Sequence, residues 1–295
     1  MRIKKALIPA AGLGTRLLPA TKVVPKELLP IVHRPALEYI ADELVESGIE
    51  EVILVLHPDK ESISGHFSKG GNVEDTLAER GQLGRLETLH RILGNIKFTV
   101  AYQEQPLGLG HAVWCGKEAI GDEPFAVVLP DDLVRSSKPC LRQMMEAYEK
   151  HPGSYVAVEE VPEDRVHLYG IVHGTFEAIG RSFGVDHVVE KPAREQAPSR
   201  HAIIGRYILD PSIFSILEKI SKGSLGELQL TDGLQVFAQA GSLRAFPFEG
   251  IRHDVGQPLG FVQANLIYAM DDPTLAKPLA GFMQNLLENL SQKKG

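Results

Sequence analysis

Directly after a short apolar run at the start of the chain stands Ala10-Ala11-Gly12-Leu13-Gly14-Thr15-Arg16. Glycines at such a point let the backbone approach a ligand, and successive amide groups can cradle phosphate oxygens. Arg16 supplies a cation within the loop itself, and Lys22 and Lys26 follow. Two other phosphate loops do not fit. A dinucleotide fingerprint needs a third glycine or alanine where Leu17 stands, and a helix that Pro19 would disrupt. A Walker A loop needs Gly-Lys-Ser/Thr, which is absent. Lys26 lies between Pro25 and Pro30, a stiff stretch that favours a fixed position for its ammonium group. The eleven histidines show no His-Glu-x-x-His metal pattern, and His111 reads as a structural residue.

The elements that must position these groups alternate along the first half. Apolar runs at 5–10, 51–56, 96–103 and 125–129 read as strands, rich in Val, Ile, Leu and Phe. Between them, 36–47 carries Leu37, Ile40, Leu44 and Val45 at helical spacing and closes on Gly48. Helical patterns also fit 110–119 and 141–150. Strands alternating with helices imply crossover units and a largely parallel sheet covered on both faces. In the second half, runs at 155–161, 171–173, 185–189 and 203–209 lack a helix between each pair, so some antiparallel pairing is expected. Helices return at 212–220, 257–270 and 275–291. The charged, glycine-interrupted stretch 72–93 reads as a loop-and-helix excursion. With no repeat or linker, the chain reads as a single α/β domain over 1–295. Its halves divide at about residue 135, and a helical C-terminal segment covers about 257–295.

Composition narrows the class. A chain of 295 residues buries roughly 75% of its unfolded surface without needing staples. Two cysteines, Cys115 and Cys140, cannot build a disulfide framework, which fits a reducing, cytoplasmic setting. No apolar run approaches the ~18 residues that a membrane helix requires. The net charge of −7 comes without a Lys/Arg block, which argues against nucleic acid as a partner. An anionic metabolite can still bind where a few cations converge.

A longer set of motifs carries a resemblance. Gly12-Leu-Gly-Thr-Arg-x-Leu-Pro-Ala-Thr-Lys-x-x-Pro-Lys-Glu-x-Leu-Pro-Ile is followed in order by Gln103, Gly108-Leu109-Gly110-His111-Ala112-Val113 and Leu129-Pro130-Asp131-Asp132. Then come Tyr169-Gly170-Ile171-Val172, Val189-Glu190-Lys191-Pro192, Gly205-Arg206-Tyr207-Ile208-Leu209, Gly226-Glu227-Leu228-Gln229-Leu230-Thr231-Asp232 and Asp254-Val255-Gly256. Over nearly the whole chain this series resembles the sugar nucleotidyltransferase family, and within it the bacterial UTP–glucose-1-phosphate uridylyltransferases. The resemblance implies a Rossmann-like (GT-A-like) mixed, mainly parallel sheet flanked by helices. It also implies UTP and glucose 1-phosphate as substrates, Mg2+ as the metal, and a homo-oligomer, dimer or tetramer.

The implied chemistry joins two polyanions. An oxygen of the sugar phosphate attacks the α-phosphorus of the triphosphate in line, and pyrophosphate leaves. A phosphate monoester has a second pKa near ~6, so this nucleophile is anionic at neutral pH without a general base. Catalysis then consists of positioning and charge stabilisation. By resemblance, Arg16 and Lys26 hold the triphosphate, and Lys191 holds the sugar phosphate. Asp131 and Asp254 bind magnesium. Ala10, Ala11, Gly12, Gly14, Thr15, Gln103, Pro106 and Gly108, with Asp131, form the nucleotide site. Gly170, Glu190, Lys191 and Tyr207 form the sugar-phosphate site.

The chain departs from the family pattern in three places. His33-Arg34-Pro35 stands for Asp-Lys-Pro, His253-Asp254 stands for Tyr-Asp, and the stretch before Gln103 is shortened. Two alternatives stay open at this point: the same reaction with dTTP, and a catalytically silent regulatory relative. The silent reading is opposed by the intact Arg16, since such relatives typically lose the arginine of the glycine loop.

Overall fold

The run at Lys5–Pro9 becomes a strand buried on both faces, as a parallel strand between helical layers requires. Its side chains alternate between two cores: Ala6 and Ile8 enter one, Leu7 the other. Glu51–Leu56 and Phe125–Val128 repeat that alternation, with Val52 and Leu54 on one side and Ile53 and Val55 on the other. Each fully buried Leu or Ile contributes about 1.5–3 kcal/mol, so these strands anchor the fold. The computed structural model describes residues 2–176, 178–220 and 226–292, so the last three residues of the C-terminal segment lie outside it.

One ten-stranded sheet runs through both halves. Lys5–Pro9 lies between Phe125–Val128 and Glu51–Leu56, and Lys97–Tyr102 joins outside the latter, all in parallel. His201–Leu209 then pairs antiparallel with both Phe125–Val128 and Ser154–Glu160. Leu243–Pro247 runs parallel to Ser154–Glu160. Gly170–His173 and His187–Glu190 form an antiparallel branch beside His201–Leu209. The sheet is thus mixed and mainly parallel, with the antiparallel pairing concentrated in the second half. Helix Ala36–Ser47 buries Leu37, Ile40 and Leu44 against one face and stops at Gly48.

Some expectations change in detail. The helical pattern over 110–119 is two helices, Leu109–Cys115 and Lys117–Ile120, broken where Gly116 packs directly on Leu7. The excursion contains helices Asn72–Glu79 and Glu87–Asn95. Periodicity did not reveal the helix Leu230–Gln239, nor the two-stranded ribbon of Asp132–Arg135 with Ile251–Asp254. That ribbon places Asp254 directly opposite Asp132. Two helices, Pro258–Asp271 and Ala276–Gln292, form the C-terminal segment. Among the described residues, no helix is long and apolar enough to cross a membrane.

Candidate active site

The carboxyl ends of the parallel strands lead into the glycine loop, Gln103 and Asp131, the edge at which open α/β sheets hold ligands. A cleft of about 940 Å³ opens there. Arg16, Asp131, Gly170, Glu190, Lys191, Tyr207 and Asp254 all line it. Residues separated by more than two hundred positions in the chain therefore share one cavity.

The glycine loop is shaped by contacts invisible in the sequence. Gly14 adopts φ 66°, a left-handed conformation open to glycine at little cost, and packs against Lys26 and Thr21. The Thr21 hydroxyl donates to its carbonyl at 2.8 Å. Lys60 does more. Its ammonium donates to the carbonyls of Ala10 (2.9 Å) and Gly12 (2.5 Å) and to both oxygens of Glu27 (3.1 and 3.0 Å). Burial pushes the Glu27 carboxyl up and the Lys60 ammonium down, each only partly opposed by its partner. Lys60 and Glu27 thus tie the loop to the segment that carries Lys26. Ala10 has both backbone groups engaged, its N–H donating to Val55 at 2.8 Å, so the loop's free donors begin beyond it. Arg16 is exposed at the cleft with no hydrogen bond or ion pair to any described residue.

Lys26 Nζ lies 2.6 Å from Asp131 Oδ2. Burial opposes the Asp131 charge, but Lys26 outweighs it and holds the carboxyl below its usual range. Asp131 and Asp254 meet at Gly256, where a Cβ would stand 2.7 Å from Asp131 Oδ2 and 3.2 Å from Asp254 Oδ1. Only glycine allows both carboxylates to approach so closely. Burial, then the charges of Asp132 and Asp131, pushes the Asp254 carboxyl up, while Arg252 opposes the shift. Two carboxylates crowded in this way suit a hard divalent cation. No group of three or more His, Cys, Asp or Glu side chains that could hold a metal occurs among the described residues. A metal here would complete its shell with phosphate oxygens and water.

Asp132, adjacent in sequence, has a different task. It is buried, accepting from Arg252 Nε at 2.6 Å and from the Gly205 N–H at 3.0 Å. Arg252 also donates to Glu159 at 2.7 Å and lies over the Tyr169 ring at 5.1 Å. Below this layer, Arg206 is fully buried and grips Glu43 through two bonds of 3.0 and 2.6 Å while donating to the Asp132 carbonyl at 2.8 Å. The strand turn bearing Asp131 is therefore held from two sides.

In the antiparallel branch of the sheet, Glu190 pairs with Gly170 and accepts from the Thr231 hydroxyl at 2.5 Å. Lys191 follows at φ 44°, and its N–H donates to the Tyr169 carbonyl at 3.0 Å. A left-handed conformation costs a side-chain-bearing residue roughly 1–2 kcal/mol, which glycine would avoid. Strain of this kind collects at functional positions. Lys191 Nζ reaches Glu190 at 3.4 Å and stays half exposed. Tyr207 is buried, and burial with nearby Glu190 and Asp132 raises its phenol so that it stays protonated. Gln103 and Gly108 do not line the cleft; they sit together beyond the strand Lys97–Tyr102, and Gln103 Nε2 donates to the Gly108 carbonyl at 3.1 Å. Pro106 is exposed in the same loop.

Two of the sequence departures have clear settings. Arg34 pairs with Glu38 (3.1 Å) and Asp42 (2.5 Å) and stacks 4.4 Å from Tyr39, away from the cleft. His253 is buried beside Tyr268, 6.0 Å between ring centres, and its Nε2 has no hydrogen-bond partner among the described residues. Sequence reasoning missed Lys60, Glu27, Arg252, Thr231 and Arg206 as site supports. Glu27, Thr231 and Arg206 stand inside the motif series; solitary Lys60 gives no signal.

Residues 5–270 match the nucleotidyl transferase family. The chain is 46% identical over 286 residues to the UTP–glucose-1-phosphate uridylyltransferase of Bacillus subtilis (strain 168), covering 97% of this chain and 98% of that one. It is similar to a solved structure of UTP-bound UGPase from Acinetobacter baumannii, with 38% identity, TM-score 0.87, and 97% and 99% of the two chains covered. A UDP-glucose pyrophosphorylase complexed with UDP-glucose gives 39% identity and TM-score 0.85 over 92% and 100% of the two chains.

Proposed function

Since the chain belongs to the nucleotidyl transferase family, we propose that its cleft moves a uridylyl group from UTP to glucose 1-phosphate, giving UDP-glucose and pyrophosphate. The observation that carries this reading is the shared cavity. Arg16 and Lys191 line one cleft together with Asp131 and Asp254, which meet at Gly256. Names of the relatives, and the UTP and UDP-glucose in the solved structures, support the choice of substrates.

In this mechanism Arg16 and Lys26 hold the triphosphate and neutralise the departing pyrophosphate. Lys191 holds the phosphate of the sugar and aligns its oxygen with the α-phosphorus. Glu190, oriented by Thr231, and Tyr207 accept from or donate to sugar hydroxyls beside Gly170. Bound Mg2+ would be held by Asp131 and Asp254 and would supply charge neutralisation on the phosphate oxygens. Lys26 occupies one Asp131 oxygen now; a triphosphate offers that ammonium a second anion. No side chain needs to remove a proton, because the nucleophile is already anionic.

The unbroken sheet supports reading 1–295 as one domain, and the free cysteines support a cytoplasmic setting. Self-association as a homo-oligomer is supported by apolar side chains exposed on the C-terminal helices, Leu259, Val262, Phe282 and Leu287 among them. Pyrophosphate release, measured across nucleoside triphosphates and sugar phosphates with magnesium present or chelated, tests the assignment. Fastest release with UTP and glucose 1-phosphate is expected, with loss on chelation. Faster release with dTTP, or none with any pair, refutes it.

A further inference from the structure

We propose that a second cavity, at the far end of the ribbon from the Asp131–Asp254 pair, binds a small phosphomonoester. The cavity measures about 540 Å³, within the roughly 300–1,000 Å³ of small-molecule sites. It shares no lining residue with the catalytic cleft. Ser137, Lys138 and Glu249 border it where the two chains of the ribbon part beyond Arg135 and Ile251. Another wall is strand Leu243–Pro247. Leu243 and Ala245 enter one core, so Arg244 and Phe246 turn to the other face, toward helix Cys140–Lys150.

Lys138, Lys150, Arg181 and Arg244 line the cavity against two carboxylates, Glu146 and Glu249. The lining therefore carries a surplus of two cations in a chain whose net charge is −7, and a ligand responds to that local field. Lys138 is taken up by Glu146 at 2.8 Å. Arg244, Arg181 and Lys150 form no ion pair with any described residue. Arg244 is half-buried, and it donates to Ser182 twice, from Nε to the hydroxyl at 3.0 Å and from Nη2 to the carbonyl at 2.9 Å. This neutral partner fixes the guanidinium plane without cancelling its charge, so the fork stands ready for an oxyanion. The carboxyl end of helix Cys140–Lys150 would repel an anion, but Tyr155 masks it, donating to the His151 carbonyl at 2.6 Å. A phosphomonoester carries about −1.5 to −2 near pH 7, which matches the two surplus cations.

The test is calorimetry with inorganic phosphate and with glycerol 3-phosphate. The protein carries Arg16→Ala and Lys191→Ala, so that the catalytic cleft competes less for phosphate. One saturable site per chain is expected, with a dissociation constant in the millimolar range or below. Adding Arg181→Gln or Arg244→Gln should weaken it by about tenfold or more, the scale of one charge-assisted hydrogen bond. Adding Glu249→Gln takes a negative charge from the lining and should tighten binding severalfold, a change of sign that misfolding does not produce. Arg181 is exposed and in no ion pair, so its variant decides the matter even where Arg244→Gln proves unstable on thermal unfolding. No saturable heat up to tens of millimolar phosphate overturns the proposal. A dissociation constant unmoved by Arg181→Gln, or not tightened by Glu249→Gln, does the same. None of these readouts involves turnover, so the result stands whichever substrates the catalytic cleft takes.

Discussion

Replacing Lys60 with methionine separates the support of the glycine loop from the chemistry of the cleft. The Lys60 side chain is 11% exposed and Glu27 1%, so the pair is sealed from water. Methionine fills much of the volume but leaves Glu27 buried without its cation and removes the donor from the Ala10 and Gly12 carbonyls. Breaking one side of a buried pair costs about 3–5 kcal/mol. In a chain of 295 residues that lowers Tm by roughly 5–8 °C, taking an unfolding entropy of about 2.1 cal/mol/K per residue. The double variant Glu27→Leu with Lys60→Met removes the uncompensated charge, and should regain most of the lost stability. It should not regain UTP affinity, because the two loop carbonyls still lack their donor. Thermal unfolding followed by circular dichroism measures the first effect and calorimetry of UTP binding the second. A Lys60→Met protein that melts with the wild type, or a double variant no more stable than the single, would refute the role assigned to this pair.

Arg16→Ala should lower turnover by on the order of 10²–10³, the usual cost of one preorganised transition-state donor, with pyrophosphate release as the readout; unchanged turnover would leave Arg16 a solvated side chain. Asp131→Asn and Asp254→Asn keep the side-chain volume and remove charge, so a magnesium titration should show a raised requirement in each, with folding intact by circular dichroism. Lys191→Ala should raise the Michaelis constant for glucose 1-phosphate and lower turnover while sparing UTP affinity. Loss in both constants means that the alignment is used in the transition state, and loss of UTP binding instead would put Lys191 on the wrong substrate.

Much of the first half is legible in the sequence alone. Helix Ala36–Ser47 and strand Glu51–Leu56 follow directly from apolar spacing and the closing Gly48, because local periodicity reflects burial on one stripe or two faces. The glycine loop and Arg16 were also readable, since their residue types have few other uses in that order. The ribbon of Asp132–Arg135 with Ile251–Asp254 was not, because strands this short carry too few residues to show a period. It decides that Asp131 and Asp254 meet at Gly256, while Asp132 turns to Arg252. Resemblance singled out Asp131, but periodicity could not divide the labour of the Asp-Asp pair, since Asp131 stands in the turn and Asp132 opens the strand, and only the ribbon's pairing decides what each one meets. The same holds for Lys60. A lone lysine after Pro58-Asp59 has no pattern of its own, and its four acceptors come from segments more than thirty residues away. Residue types and their order determined the chemistry this chain can attempt. Which cations stay free for phosphate, and which are consumed in holding the loop and the strand turn, was decided by long-range packing, because burial and charge pairing exist only once distant segments are brought together.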